Sequence, residues 1–292
     1  MSRSVVAGID GRPESLAAAD WAAREAVYKG RPLLLVHAWS RSPYSMVSVA
    51  ANTAQRAEAE RVLNAAADRI ARACPGLRVK TDQVEGPAVT ALSRLADGAE
   101  LLALGRRTKR SPAGLPGGSV ARGVISRVER PVALVRAGEG QGRSAHVPRT
   151  GDVVLGVDLG NPCAEAIGFA FEEARLRRCG LRVVHAWSDP PTSEGEATEI
   201  GLVEAEHREE ERSGLLTAVL KVRRGEYPEV PVIESVRRGK ASSTLLRDTD
   251  GADLLVVGHR LGAHPYLGLH SSPTVHAVMQ HARCPVVVVP HY

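Results

Sequence analysis

Aromatic side chains make up only 3% of the 292 residues. Any core therefore has to come from Val, Leu, Ile and Ala, and the exposed rings on which single-stranded nucleic acids stack are missing. Cysteine is equally thin. Cys74, Cys163, Cys179 and Cys284 stand far apart with no C-x-x-C spacing, which argues against a disulfide framework or a zinc knuckle and leaves reduced thiols in a cytoplasmic protein as the expectation. No apolar run approaches the roughly 20 residues that a membrane-spanning helix requires, and the opening MSRSVVAGID enters a strand-like pattern with no room for a signal peptide. There is no long basic arm or tail either. The net charge of +5 is spread among interspersed acidic residues, so it permits an anionic ligand without naming one, and neither nucleic acid nor membrane is expected as a partner. HExxH, G-x-S-x-G and a full P-loop are all absent.

What is present is repetition. Val5-Val6-Ala7-Gly8-Ile9-Asp10 returns as Val153-Val154-Leu155-Gly156-Val157-Asp158, and Val36-His37-Ala38-Trp39 returns as Val184-His185-Ala186-Trp187, both at an offset of 148. Leu101 to Gly105 returns as Leu254 to Gly258 and Arg130-Pro131-Val132 as Cys284-Pro285-Val286, at offsets of 153 and 154. Four landmarks in one order mean a duplicated domain, and the period is that of whole domains, not of a solenoid. With 43% hydrophobic and 24% charged residues the composition is that of ordinary globular domains. The expected division is 1–137, a Gly-rich linker over 138–151, and 152–292.

Within the first copy, strand-length apolar runs alternate with helical periodicities. Strands are expected at Val5 to Ile9, Leu33 to Ala38, Leu77 to Val84, Leu101 to Leu104 and Val132 to Arg136. Helices are expected at Pro13 to Gly30, Thr53 to Cys74, Pro87 to Asp97 and Ser119 to about Glu129. On the first helix Leu16, Ala19, Ala23, Ala26 and Val27 form the apolar face; on the second, Ala59, Leu63, Ala66, Ile70 and Ala73 do. The second copy repeats the pattern with strands at Val153, Leu181, Val230, Leu254 and Val286 and a charged long helix from about Glu196 to Arg223. Near-continuous apolar strands such as LLLV demand a parallel sheet covered on both faces. Right-handed crossovers then give two tandem doubly wound α/β domains, with five-stranded parallel sheets and ligands bound beyond the strand carboxyl ends where the winding reverses.

The most informative stretch is Leu101 to Val120, LLALGRRTKRSPAGLPGGSV. A strand ends at Gly105, a basic Gly/Pro-rich loop follows, and Gly118-Ser119 opens a helix. Such a loop gathers backbone N–H groups suited to phosphate oxygens, with Ser119 as a helix cap and Arg106, Arg107, Lys109 and Arg110 as cations. The alternative is a solvated basic connection. Asp10 and Asp158 are strand-end acceptors and not acid/base catalysts, since no partner stands at catalytic spacing. His37 and His185 read as core or rim residues. The cluster His259, His264, His270, His276 and His281 invites a metal, but its spacing completes no ligand set.

Five strands in this order, Asp10 at the end of the first, Val-His-Ala-Trp at the second, and Gly105 followed by Gly118-Ser119 after the fourth resemble the universal stress protein family in its tandem form. The resemblance implies an adenine nucleotide alpha hydrolase-like fold with strand order 3-2-1-4-5. It also implies ATP, with Mg accompanying it, held in the first domain near Gly8, Ile9, Asp10, Val36, Leu104, Gly105, Arg107, Gly118, Ser119 and Val120. The family motif G-x2-G-x9-G-[ST] is met except at Thr108, where a β-branched residue forced to φ > 0 costs about 1–2 kcal/mol. In the second copy Asp158, Gly258 and Ser272 remain, but Leu261, Ser271 and Pro273 depart from the motif, so a weaker site is expected there. The family further implies pairing through the fifth strands, between the two copies of one chain and in a homodimer, and a nucleotide-responsive stress or dormancy role. Two rivals stay open: an interaction protein that has lost nucleotide, and, less well supported by GIDGRPES at the first turn, an adenylate-transferring enzyme.

Overall fold

The structure is a computed structural model in which residues 3–39, 48–107, 118–138, 151–188, 199–261 and 272–292 are described. The first half runs β1 (Val5–Gly8), α1 (Pro13–Tyr28), β2 (Leu33–Trp39), α2 (Ser48–Ala73), β3 (Val79–Glu85), α3 (Ala88–Asp97), β4 (Leu101–Gly105), α4 (Ser119–Ile125) and β5 (Val132–Val135). The second runs β6 (Val153–Gly156), α5 (Ala164–Arg177), β7 (Leu181–Trp187), α6 (Glu199–Glu226), β8 (Val232–Arg238), α7 (Ala241–Asp248), β9 (Leu254–Arg260), α8 (Pro273–His281) and β10 (Val286–His291). Each half is the expected parallel sheet in order 3-2-1-4-5. The two sheets join edge to edge as β3-β2-β1-β4-β5-β10-β9-β6-β7-β8. The junction is antiparallel, with Val286 opposite Leu134, Val287 opposite Ala133 and Val288 opposite Val132.

Strand alternation sorts the apolar side chains into two cores. Val5, Ala7, Leu33, Leu35, Leu101 and Ala103 face α1 and α2, and in the second half Val153, Leu155 and Leu181 face α5 and α6. Val6, Leu102, Leu104, Leu134, Leu255 and Val257 face α3, α4, α7 and α8 on the other side. A layer of helices therefore covers each face of the sheet, the arrangement that near-continuous apolar strands require.

Element ends differ from expectation for local reasons. The third strands begin at Val79 and Val232 because Leu77 and Val230 still close turns, through Leu77 N–H to Cys74 O (3.2 Å) and Val230 N–H to Tyr227 O (3.1 Å). Helix α4 stops at Ile125, where Ser126 Oγ turns back onto Gly123 O at 3.2 Å. On α1 the apolar face is wider than predicted and rotated. Ala17, Ala18, Trp21 and Ala22 are fully buried, while Val27 is 39% exposed.

That rotation buries charge. Glu25 of α1 and Lys29, the C-cap of that helix, meet Glu173 and Arg177 of α5: Arg177 binds both Glu25 and Glu173, and Lys29 Nζ lies 2.7 Å from Glu173 and 3.8 Å from the half-exposed Glu172. Arg177 lies over the Tyr28 ring at 5.4 Å and Lys29 over Phe169 at 5.1 Å. Glu25 and Glu173, like Lys29 and Arg177, are separated by 148 residues, the offset of the duplication itself. The cluster is one Glu-x-x-x-cation pair met by its own copy. Burial opposes ionisation of Glu173, but Arg177 and Lys29 overcome it and hold that carboxyl at about 2. Burial pushes Glu25 up to about 8 against the pull of Arg177, with Glu173 adding to the rise. Folded Glu25 therefore keeps its proton where an unfolded carboxyl, ordinarily at 4.5, has lost it. Its contribution to stability is present below pH 4.5 and declines as pH rises toward 8. Thermal unfolding should show Glu25→Gln raising Tm relative to the parent more at pH 8 than at pH 5.5; an equal effect at both would remove Glu25 from the pH dependence.

Candidate functional site

The carboxyl ends of β1, β2 and β4 open onto a cleft of 160 Å³ in the first half. Gly8, Ile9 and Asp10 line it from β1, Val36 and Ala38 from β2, Leu104 and Gly105 from β4, Arg107 from the following turn and Val120 from α4. The cleft sits between β1 and β4, where the winding of the first sheet reverses. Eight of the ten first-half residues singled out by sequence are thus together, and the other two stand aside. Gly118, at φ 95°, is the N-cap of α4 and borders a neighbouring crevice that also reaches Arg107. Ser119 is the exposed first residue of α4, so it is not the cap that the sequence suggested; the N-cap is Gly118, which has no side chain to cap with.

The turn after β1 is held by its own polar groups. Asp10 Oδ1 accepts from Arg12 N–H at 3.0 Å, Ser15 Oγ accepts from Asp10 N–H at 3.2 Å, and the Ser15 hydroxyl donates to Arg12 O at 2.9 Å. Arg12 Nη1 stands 3.5 Å from the second carboxylate oxygen, with both side chains more than half exposed. These contacts fix Asp10 in place on the wall of the cleft. Burial lowers the pKa of His37 against the attraction of Asp10, and the corresponding His185 ring Nδ1 lies 3.0 Å from Val157 O. His37 is half-buried and His185 is buried, and neither lines a cleft.

Gly105 makes the approach of α1 to β4 possible. A Cβ there would lie 2.6 Å from the Glu14 carbonyl carbon and the Ser15 amide nitrogen. Arg106, read from sequence as a phosphate-reaching cation, points elsewhere. Its guanidinium is buried in the junction between halves and donates to Met279 O (2.9 Å), Ala282 O (2.7 Å) and Cys284 O (3.0 Å), the carbonyls at the end of α8. Successive side chains of an extended chain point to opposite sides, so Arg107 keeps the cleft and Arg106 takes the junction. Thr108, Lys109 and Arg110 fall within 108–117, outside the described residues, as do His264, His270 and Ser271. Among the described residues no three His, Cys, Asp or Glu side chains gather as a metal site.

The second half repeats the cleft on a larger scale, 530 Å³, with Asp158, Gly258 and Ser272 all lining it. Its walls also carry Asn161, Cys163, Arg260, Thr274 and His291, none of which was singled out for this site from sequence. Cys163 Sγ accepts from Ala166 N–H at 3.2 Å and caps α5. Burial pushes its thiol up to about 11, so it holds its proton and is a poor nucleophile. Ser272 does cap α8, its Oγ accepting from Thr274 N–H at 3.3 Å.

The universal stress protein family model matches residues 1–136 and again 150–290. The chain belongs to the universal stress protein family. A universal stress protein of Mycobacterium tuberculosis is 31% identical over 296 residues, covering 97% of this chain and 96% of that protein. A crystal structure of a universal stress protein from Archaeoglobus fulgidus superposes with a TM-score of 0.69 at 16% identity, covering 98% of each chain, and so shares the fold. A shorter universal stress protein solved in complex with cAMP is 32% identical and covers 46% of this chain and 97% of its own, with a TM-score of 0.39. In this universal stress protein no helix among the described residues is long and apolar enough to cross a membrane.

Proposed function

We propose that this universal stress protein binds ATP, with the Mg that accompanies it, in the first-half cleft, and that it acts in the cytoplasm as a nucleotide-responsive stress factor without a catalytic step of its own. The observation that supports this reading is the convergence of Gly8–Asp10, Val36, Leu104, Gly105 and Arg107 on one cleft at the reversal of the sheet, in a chain of this family. Asp10 offers an acceptor to a ribose hydroxyl, the apolar strand ends offer a floor for a flat base, and Arg107 offers charge to phosphate. Gly118 and Ser119 flank the phosphate end. Pairing of the halves through β5 and β10 makes each chain a pseudo-dimer, and a further homodimer belongs to the same reading. The first turn, GIDGRPES, lacks the Ser/Gly-rich phosphate loop of an adenylate-transferring enzyme, which favours the binding reading.

Isothermal titration of the full chain with Mg-ATP tests this. Asp10→Ala removes a charged hydrogen-bond acceptor from an exposed turn, so ATP affinity should fall by about tenfold or more while Tm stays within a few degrees. An unchanged affinity in Asp10→Ala would take Asp10 out of the site, and no heat together with no adenine nucleotide carried through purification would favour the interaction protein that keeps the fold without the ligand.

A further inference from the structure

The two clefts have diverged in opposite ways at their two ends. Where the first half has Arg12 and Glu14 at the mouth and Leu104 on the floor, the second has Gly160, Pro162 and Val257 at the offsets of 148 and 153. Each exchange removes side-chain volume, in the same direction as the larger second cleft, 530 against 160 Å³. The exchange at Gly160 also alters charge. Asp158 Oδ1 accepts from Gly160 N–H at 2.9 Å, and glycine stands where Arg12 flanks Asp10, so the neighbouring guanidinium of the first half is replaced by backbone alone.

Among the described residues the opposite end offers fewer anion donors than its first-half counterpart. Pro273 opens α8 and has no N–H, and the N–H of Thr274 is taken by Ser272 Oγ, whereas α4 has neither a proline nor a capping side chain at its N-cap. Arg260 remains, but it is solvent-exposed, where a single cation is a weak anchor for a multiply charged group. Between the ends, Val184, Leu245, Val257 and Val275 provide an apolar slot. A carboxylate that seeks hydroxyl donors, an apolar slot for a ring and a helix start with two anion donors fewer describe one class of ligand.

We infer that the second-half cleft takes a ribonucleoside without its phosphates, bound through its ribose hydroxyls to Asp158. The inference rests on the nucleotide reading of the first cleft, and the two clefts then hold different ligands at once. Adenosine is the probe. With the full chain saturated with Mg-ATP, titrated adenosine should still bind one site per chain with an affinity within about twofold of that without ATP. Asp158→Ala should weaken adenosine by about tenfold or more, a lost charged hydrogen bond, and leave ATP binding unmoved, while Asp10→Ala should do the reverse. Pro273→Val, which restores the residue type at Val120, should let ATP compete for the second site. Displacement of adenosine by ATP in the parent protein, or no adenosine binding while ATP binds, overturns the inference. Failure of ATP to bind while adenosine binds in an Asp158-dependent way overturns only the first-cleft reading.

Discussion

Arg177→Met is expected to lower stability by about 3–5 kcal/mol, because it removes the buried guanidinium that binds both Glu25 and Glu173 and leaves the buried Glu173 carboxylate to Lys29. At roughly 2–4 °C per kcal/mol for a domain of 150–250 residues, Tm should fall by about 6–20 °C. Methionine nearly matches the length of the arginine stem, so a cavity is not the cause. Two controls separate charge from packing. Replacing Glu25, Lys29, Glu173 and Arg177 together by apolar residues of similar size should recover most of the loss, since a buried ionic cluster exchanged whole for hydrocarbon is often neutral or stabilising. Arg61→Met, which breaks the exposed ion pair with Glu58, should cost about 0–1 kcal/mol. An Arg177→Met protein as stable as Arg61→Met would show that the junction is not held by this cluster.

The same residues show where sequence reasoning stops. The alternation of strands and helices, the parallel sheet and the duplication could all be read because each rests on local periodicity or on self-similarity, which a single chain contains. Glu25 and Lys29 could not be placed that way. Four residues apart near a helix end, they have the pattern of a solvated ion pair, and only the arrival of α5 from 148 residues away puts them inside. The signal lay in the duplication: the same Glu-x-x-x-cation spacing recurs at the repeat offset, and a charged pair preserved in both copies at matched positions points to a surface on which the copies meet.

The cleft was legible for a related reason. Strand order fixes which chain ends share an edge, so Gly8–Asp10, Val36, Leu104 and Gly105 had to converge once the topology was right. Side-chain direction was not fixed by that logic. Arg106 and Arg107 looked equivalent in a basic loop, yet the strand alternation persists one residue past β4, as Arg106 N–H to Val135 O at 2.7 Å shows, and this sends the two guanidiniums apart. The contrast between the two clefts was half visible. The motif departures at Leu261, Ser271 and Pro273 marked the second site as altered, but the small residues Gly160 and Val257 that widen it became informative only when set against Arg12 and Leu104 across a common frame.

Gly105→Ala should be among the most damaging single-methyl additions near the cleft, and Gly258→Ala at the matched position of the second half should not. The Cβ at residue 105 would lie 2.6 Å from backbone atoms of Glu14 and Ser15, and 2.8 Å from Glu14 O. Backbone at the start of a helix cannot step aside as a side-chain end can, so α1 must lift from β4. Overpacking of this kind costs about 1–3 kcal/mol and sometimes more, and the backbone contact places Gly105→Ala at the upper end. Its Tm should fall by roughly 6–12 °C at 2–4 °C per kcal/mol. At residue 258 the new methyl meets the Cys163 side chain, with Cβ at 2.8 Å and Sγ at 3.3 Å. One approach under 3 Å, to a Cβ that moves with the start of α5, stands against three to backbone atoms at residue 105, so the loss should be smaller. Ligand binding gives an independent readout. Lifting α1 displaces Glu14 and Ser15 from the wall of the first cleft and frees the Asp10 turn that Ser15 Oγ ties down, so ATP affinity should drop in Gly105→Ala even at temperatures where the protein remains folded. Equal losses of stability in the two alanine variants, or ATP affinity untouched in Gly105→Ala, would mean that the close approach of α1 to β4 does not shape the site.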